Sequence, residues 1–317
     1  GRLDRISHIT KQQIIDFANR HLLNNYVAVY KRQGVDSTVK KIDKPQITPI
    51  PSNRDKQSAY VAEIANAKAE PIQPVFVDFK RDITFGKTKK GLPVQYIKNN
   101  TNGLFALQFT FNFGIEADKR LNTAAGYLDY LGTDKMTADQ LKQQFYKLAC
   151  TYSVSASRNK TTITLSGLDE NKVEALKLME QFLANAKADA DAWKQFVALE
   201  KKAREMNKLN QNANFSALYS YGIYGPYNPY RNKMTALELD NANPTDMVKL
   251  ISSLVNYKHE VAYYGPTDLK QVIALVDKNH RTAKKLADVP AGREYEEQLT
   301  KENEILIAPY QAKNIYM

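Results

Sequence analysis

Cysteine is nearly absent. Cys150 stands alone among 317 residues, so the chain forms no internal disulfide and no thiolate zinc cluster. Its place at the end of a helical pattern suits a small buried thiol. Histidine is scarce as well, with four residues. Long apolar runs are missing: no stretch of ~18 uninterrupted apolar residues exists, so no segment reads as a membrane-spanning helix. The opening Gly1-Arg2-Leu3-Asp4 lacks the basic and apolar regions of a signal peptide. In a piece of a longer chain, a signal would lie upstream. Also missing are a Gly-x-Ser-x-Gly elbow, a phosphate-cradling glycine loop and a convincing Cys–His pair. The sequence therefore offers no ordinary hydrolase, nucleotide or thiol chemistry.

Positive charge is plentiful. Lys and Arg outnumber Asp and Glu by 45 to 34, for a net charge of +11. Such a balance attracts anionic partners. The densest runs are short, however: Lys87-Thr88-Lys89-Lys90, Lys201-Lys202-Ala203-Arg204 and Lys284-Lys285. A nucleic-acid interface would cluster its charge and interleave aromatics within it. Spread lysines fit solvated helix faces and turns, and no nucleic-acid partner is expected. With 43% apolar residues the chain can bury a sizeable core in one or two globular domains.

Four sections follow one another. Residues 1–35 contain a helix capped by Thr10, with Gln13 three residues on and Ile9 and Ile14 placed as a staple. Ile14, Ile15, Phe17, Ala18 and Leu22 give it an apolar face, and Tyr26–Tyr30 has strand propensity. Residues 36–80 hold Pro45, Pro49, Pro51, Pro71 and Pro74 and read as a linker, with a short helix around 59–67. Residues 81–285 are densest in structure, and residues 286–317 are polar up to the strand-like Ile305-Leu306-Ile307.

Within 81–285, Leu92–Ile97 reads as a strand. In 104–114, Phe105, Leu107, Phe109, Phe111 and Phe113 alternate with Gln108, Thr110 and Asn112, the period of a sheet strand with one apolar face. Helices are predicted near 123–131 and 137–149, the second capped by Thr137 with Gln140. A hairpin is predicted over 152–167 across Arg158-Asn159-Lys160, then helices over 173–183 and 191–209. Tyr219–Tyr230 reads as an aromatic loop. Pro244 opens a helix at its first position, Val261–Tyr264 is a strand, and 269–276 is helical. The helix-to-strand passage of 9–31 recurs at nearly the same spacing in 242–264, which suggests two related units joined by a linker. On that pattern the chain would begin inside a domain.

This order resembles a domain of the pitrilysin (insulinase) family of zinc metallopeptidases, the inverzincins. Ile9–Asn19 is similar to the last helix of a family domain and Tyr26–Lys31 to its closing strand. Gly91-Leu92-Pro93-Val94 resembles the opening strand of the next. Leu218–Tyr230 followed by Asn243–Gly265 resembles the end of that domain, and Ile305–Met317 the start of another. The resemblance implies an α+β fold, a mostly antiparallel sheet with helices packed on one face. It assigns 1–35 to the end of one family domain, 36–80 to an inter-domain linker, 81–285 to a complete noncatalytic domain, and 286–317 to a connection and first strand of the next.

The family's site is the inverted motif His-x-x-Glu-His on a helix, two histidines binding zinc and the glutamate activating its water. At the corresponding place stand Gly126, Asp129 and Tyr130, a degenerate motif that supplies no ligand pair. A third ligand would be sought on the helix holding Glu200 and Glu205. His8, His21, His259 and His280 show no metal-ligand spacing, and His21 and His280 read as helix C-terminal cations. The chain by itself is expected to be inactive, with no catalytic or metal residue and no cofactor of its own. The resemblance implies zinc in the full-length protein, with the metal site in an N-terminal part. It implies a peptide substrate and, as partner, either the remaining domains of the same polypeptide or an active peptidase subunit. Tyr219, Tyr221, Tyr224, Tyr227 and Tyr230 are candidate peptide contacts. An extracytoplasmic location follows from the family alone.

Overall fold

The computed structural model describes residues 2–31, 33–34, 37–38, 40, 43–49 and 56–308. The chain divides into two units, Gly1–Gln73 and Pro74–Met317.

The first unit holds α1 (Arg2–Ser7), α2 (Lys11–His21) and α3 (Ala59–Asn66). The start of α2 is fixed locally. Thr10 Oγ1 accepts the Gln13 N–H, and Gln13 Oε1 accepts the Thr10 N–H at 2.8 Å, closing the predicted capping box. Ser58 caps α3 through the Val61 N–H. Neither α2 nor α3 buries a residue. Tyr26–Tyr30 has no regular structure and among the described residues joins no ladder, which corrects the strand expected there. Strand propensity alone does not make a strand; the backbone groups need a neighbouring chain.

The second unit is built on one sheet of β1 (Thr84–Lys87), β2 (Pro93–Lys98), β3 (Leu104–Phe111), β4 (Cys150–Ala156), β5 (Thr161–Leu168) and β6 (Glu260–Gly265). The order across it is β1-β2-β6-β3-β5-β4, antiparallel at every pair except β2–β6. The alternation read in β3 is realised: Phe105, Leu107, Phe109 and Phe111 are buried, and Gln108 and Thr110 are partly exposed on the opposite face. β1 was not foreseen. It is four residues long and carries Gly86, where an added Cβ would lie 3.0 Å from the Ile273 side chain. Close approach of a helix over the strand explains the glycine.

That helix belongs to a layer of α4 (Arg120–Tyr127), α5 (Ala138–Lys147), α6 (Lys172–Asn185), α7 (Ala190–Asn207), α8 (Gln211–Tyr224), α9 (Ala236–Asn241), α10 (Pro244–Ser252) and α11 (Leu269–Asn279). Thr137 and Gln140 form the capping box of α5, and Pro244 opens α10 behind the Asn243 cap. α6 alone buries Leu176, Met179, Phe182 and Leu183, each worth roughly 1.5–3 kcal/mol on burial. Two expectations are corrected. Cys150 does not end a helix; it opens β4, buried. Tyr219–Tyr230 is not a single loop, because α8 runs to Tyr224 and stops at Gly225, whose φ of +70° favours glycine. Ile305 and Ile307 are exposed and join no strand among the described residues; residues 309–317 lie outside them.

Candidate functional site

Gly126, Asp129 and Tyr130, the residues expected to mark a degenerate motif, lie where α4 passes into a 3-10 turn, Leu128–Tyr130. Gly126 faces α7: an added Cβ would lie 3.5 Å from the Phe196 ring. Around it Phe196 packs with Tyr127 (centroids 5.9 Å), Trp193 (5.7 Å) and Tyr130 (5.6 Å). Tyr127 is fully buried and spends its hydroxyl on the Asp189 carbonyl at 2.6 Å. On α7, Glu200 pairs with Arg204 at 3.7 Å and Glu205 with Lys208 at 2.7 Å. A zinc ion does not fit these residues. Gly126 has no donor, the glutamates are engaged with cations, and aromatic carbon fills the space beside the helix.

The five tyrosines do not form one patch. Tyr219 stacks with Phe215 at 6.2 Å, and Tyr221 is exposed on α8. Tyr224 and Tyr227 both approach Tyr295, at 6.0 and 5.0 Å. Tyr230 lies under the Lys233 ammonium, 4.7 Å from its ring centroid.

The larger surface is the sheet face away from the core. Register places side chains across it in three rows. Phe85, Gln95, Ala262, Gln108, Thr164 and Ser153 form one. Ile97, Tyr264, Ala106, Ser166 and Thr151 form the second, and Glu260, Thr110, Thr162 and Ser155 the third. Ser155 and Thr162 share a hydroxyl hydrogen bond at 2.9 Å, and Gln108 Nε2 donates to Thr110 Oγ1 at 3.1 Å. Glu260 is the one charged side chain in these rows, held by Gln95 Nε2 at 3.2 Å and Asn112 Nδ2 at 3.1 Å. Such a face offers hydroxyl and amide groups at strand spacing without selecting a charge. Its β3 half was legible in the even positions of the sequence; the order of strands was not.

One buried cluster went unread. His259 Nε2 meets His280 Nε2 at 2.9 Å, His280 Nδ1 meets Glu180 Oε1 at 2.6 Å, and His259 Nδ1 meets the Tyr257 carbonyl at 2.7 Å. The ring of Phe109 stacks on His280 at 4.0 Å. His280 is the C-cap of the last helix as expected, but it is buried rather than solvated, and His259 has a histidine partner after all. The two stand 21 residues apart, with α11 between them, so no local spacing announces the pair. Among the described residues, no group of three or more His, Cys, Asp or Glu is arranged to hold a metal ion.

No protein-family model and no curated protein matches the sequence. Solved structures do. The inactive domain of an M16 peptidase from Pseudomonas fluorescens aligns over 67% of this chain and 54% of its own, at 16% identity and a TM-score of 0.56. The periplasmic protease PqqL from Escherichia coli aligns over 94% of this chain and 31% of its own, at 14% identity and a TM-score of 0.57. A mutant of the ferredoxin protease FusC, in complex with Arabidopsis ferredoxin, aligns over 84% and 28%, at 11% identity and a TM-score of 0.57. The chain thus has the fold of an M16 peptidase domain. It spans about half the length of the first of these structures and under a third of the other two.

Proposed function

We propose that this chain is a noncatalytic region of a zinc-dependent M16 metalloendopeptidase. It forms part of the wall of the peptide-substrate chamber, while the zinc is held by residues outside it. The open sheet face carries the reading. Its Ser, Thr and Gln side chains give an extended peptide many weak polar contacts and little sequence preference, as a chamber wall for varied unfolded peptides requires. Gly126, packed against Phe196, leaves the metal to another part of the protein. That PqqL is a periplasmic protease supports an extracytoplasmic setting for this protein. No helix of the described residues is long and apolar enough to cross a membrane.

The test joins two measurements. Metal analysis and a peptide-cleavage assay on this chain alone give substoichiometric zinc and no chelator-sensitive cleavage. Adding the zinc-bearing part yields cleavage that weakens when Thr164 and Ser153 are replaced by lysine. One tightly bound zinc with cleavage by this chain alone overturns the reading. A zinc-less structural subunit working with a separate active peptidase is the second form of the proposal, favoured by the likeness to an M16 peptidase inactive domain. An intact His-x-x-Glu-His on the same polypeptide decides for the first form, its absence for the second.

A further inference from the structure

A cavity of about 320 Å³ opens between the end of α8 and the segment that follows α11, lined by Tyr227, Asn228, Arg231, Asn232, Arg293 and Tyr295 among others. Three observations there point the same way. The first is unbalanced positive charge. Among the described residues, the Arg231 guanidinium donates only from Nη1 to the Pro226 carbonyl, at 3.2 Å. The Arg293 guanidinium has no hydrogen bond or ion pair among the described residues; its backbone N–H alone is engaged, by the Glu116 carbonyl at 2.9 Å. The buried carboxylate of Glu116 cannot neutralise either arginine, because Arg158, Asn232 and Tyr295 already hold it at 2.8, 2.8 and 2.6 Å.

The second is an orphaned acceptor. Asn232 is 5% exposed, and its Nδ2 donates to Ile115 O and Glu116 Oε2. Those two acceptors fix the orientation of the amide, and Oδ1 is left without a partner. A buried acceptor left unpaired costs about 1–3 kcal/mol, which a ligand N–H would recover. The third is an apolar wall: the Tyr227 and Tyr295 rings lie 5.0 Å apart, centroid to centroid.

We propose that this cavity binds the free C-terminus of a peptide. The carboxylate is taken by Arg231 and Arg293, whose planar guanidinium forks match its geometry. The amide N–H of the terminal residue donates to Asn232 Oδ1, and its side chain lies against the tyrosine rings. A cavity of this size sits at the small end of ligand pockets and suits one terminal residue. The choice of a peptide rests on the chamber reading above; the preference for a carboxylate with an adjacent donor rests on the cavity alone.

The test is calorimetric titration of the whole chain, at low salt, with an N-acetylated, otherwise uncharged hexapeptide ending in leucine. The same peptide as its C-terminal amide and inorganic phosphate are titrated in parallel. The free acid binds, the amide binds at least tenfold more weakly, and Arg231→Gln and Arg293→Gln each weaken the free acid tenfold or more. Both arginines are exposed, so their variants keep the wild-type melting temperature. Equal binding of acid and amide, phosphate binding as tight as the peptide, or no binding at all each overturns the assignment. None of these readouts uses cleavage, so the site can fail while the chamber reading stands, and the reverse.

Discussion

At the scale of single residues, the buried histidine pair is the feature with the plainest consequence. His259 Nδ1 has the Tyr257 carbonyl as its acceptor, and its Nε2 faces His280 Nε2 at 2.9 Å in a site out of reach of water, so a second ring proton on His259 would crowd that contact. Burial accordingly pushes His259 down to about 4, with the nearby His280 also lowering it and the Tyr257 carbonyl and Glu180 opposing. The unfolded chain takes up this proton near 6.5 and the folded chain only near 4. Between those values the unfolded state binds more protons, so stability is full above about 6.5, falls as pH drops through the window, and levels off below about 4. The loss is at most about 3 kcal/mol. Urea unfolding from pH 7.5 to 4 should show the midpoint falling in this window, and the His259 ring resonance should not titrate above pH 5. A midpoint flat over that range contradicts the assignment.

Gly126 gives a second prediction at this scale. Restoring the inverted motif with Gly126→His, Asp129→Glu and Tyr130→His should not create a zinc site. The new ring at 126 must displace Phe196 from its contacts with Tyr127 and Trp193, an overpacking that costs about 1–3 kcal/mol. On α7 the nearest candidate third ligand, Glu200, is paired with Arg204. Dialysis against zinc followed by metal analysis should find well under one equivalent and a lower melting temperature. One equivalent bound at an unchanged melting temperature would show that the aromatic cluster yields easily.

At the scale of elements, what could be read from sequence was what is decided locally. The alternating phenylalanines of β3, the capping boxes of α2 and α5, and Pro244 at the start of α10 each depend on residues within one or two turns, and each stands where expected. α8 was missed because Tyr, Ser and Gly are indifferent helix formers and its apolar residues follow no single face. Tyr26–Tyr30 went wrong in the opposite sense, since a strand is completed by its neighbour. The segment after α11 shows the same dependence. It has no regular structure, yet Tyr295 donates to Glu116 at 2.6 Å and the Arg293 N–H to the Glu116 carbonyl at 2.9 Å. Glu116, 2% exposed after the end of β3, is thus the clasp that holds residues 293–295 on the domain. Glu116→Ala takes its acceptor from Tyr295 and one of two from Asn232, which keeps the Ile115 carbonyl, and should cost roughly 2–3 kcal/mol. Limited proteolysis should then cut between 290 and 300 well before the rest of the domain. Wild-type resistance in the variant would mean that ring packing of Tyr295 on Tyr224 and Tyr227 suffices without the clasp.

At the scale of the whole chain, the core cluster lies entirely in the second unit, from Leu92 to Val276. In the first unit, Ile14, Phe17, Leu22, Leu23, Tyr26, Val27 and Val29 are each more than 60% exposed. Helices as short as α2 and α3 are marginal in water without tertiary packing. A fragment from Pro74 should therefore unfold in one cooperative transition, with a midpoint close to that of the full chain. A fragment of 1–73 should show weak helicity and no cooperative transition by circular dichroism. If 1–73 melted cooperatively, its apolar face would have to be buried in a way that the structure does not show, such as self-association. That outcome would be recognised by a concentration-dependent midpoint. If instead the 1–73 fragment gained helicity only on addition of the proposed zinc-bearing part, Phe17 and Val27 would be marked as the edge of a core completed by that part, in line with the expectation from the resemblance that residues 1–35 end a family domain.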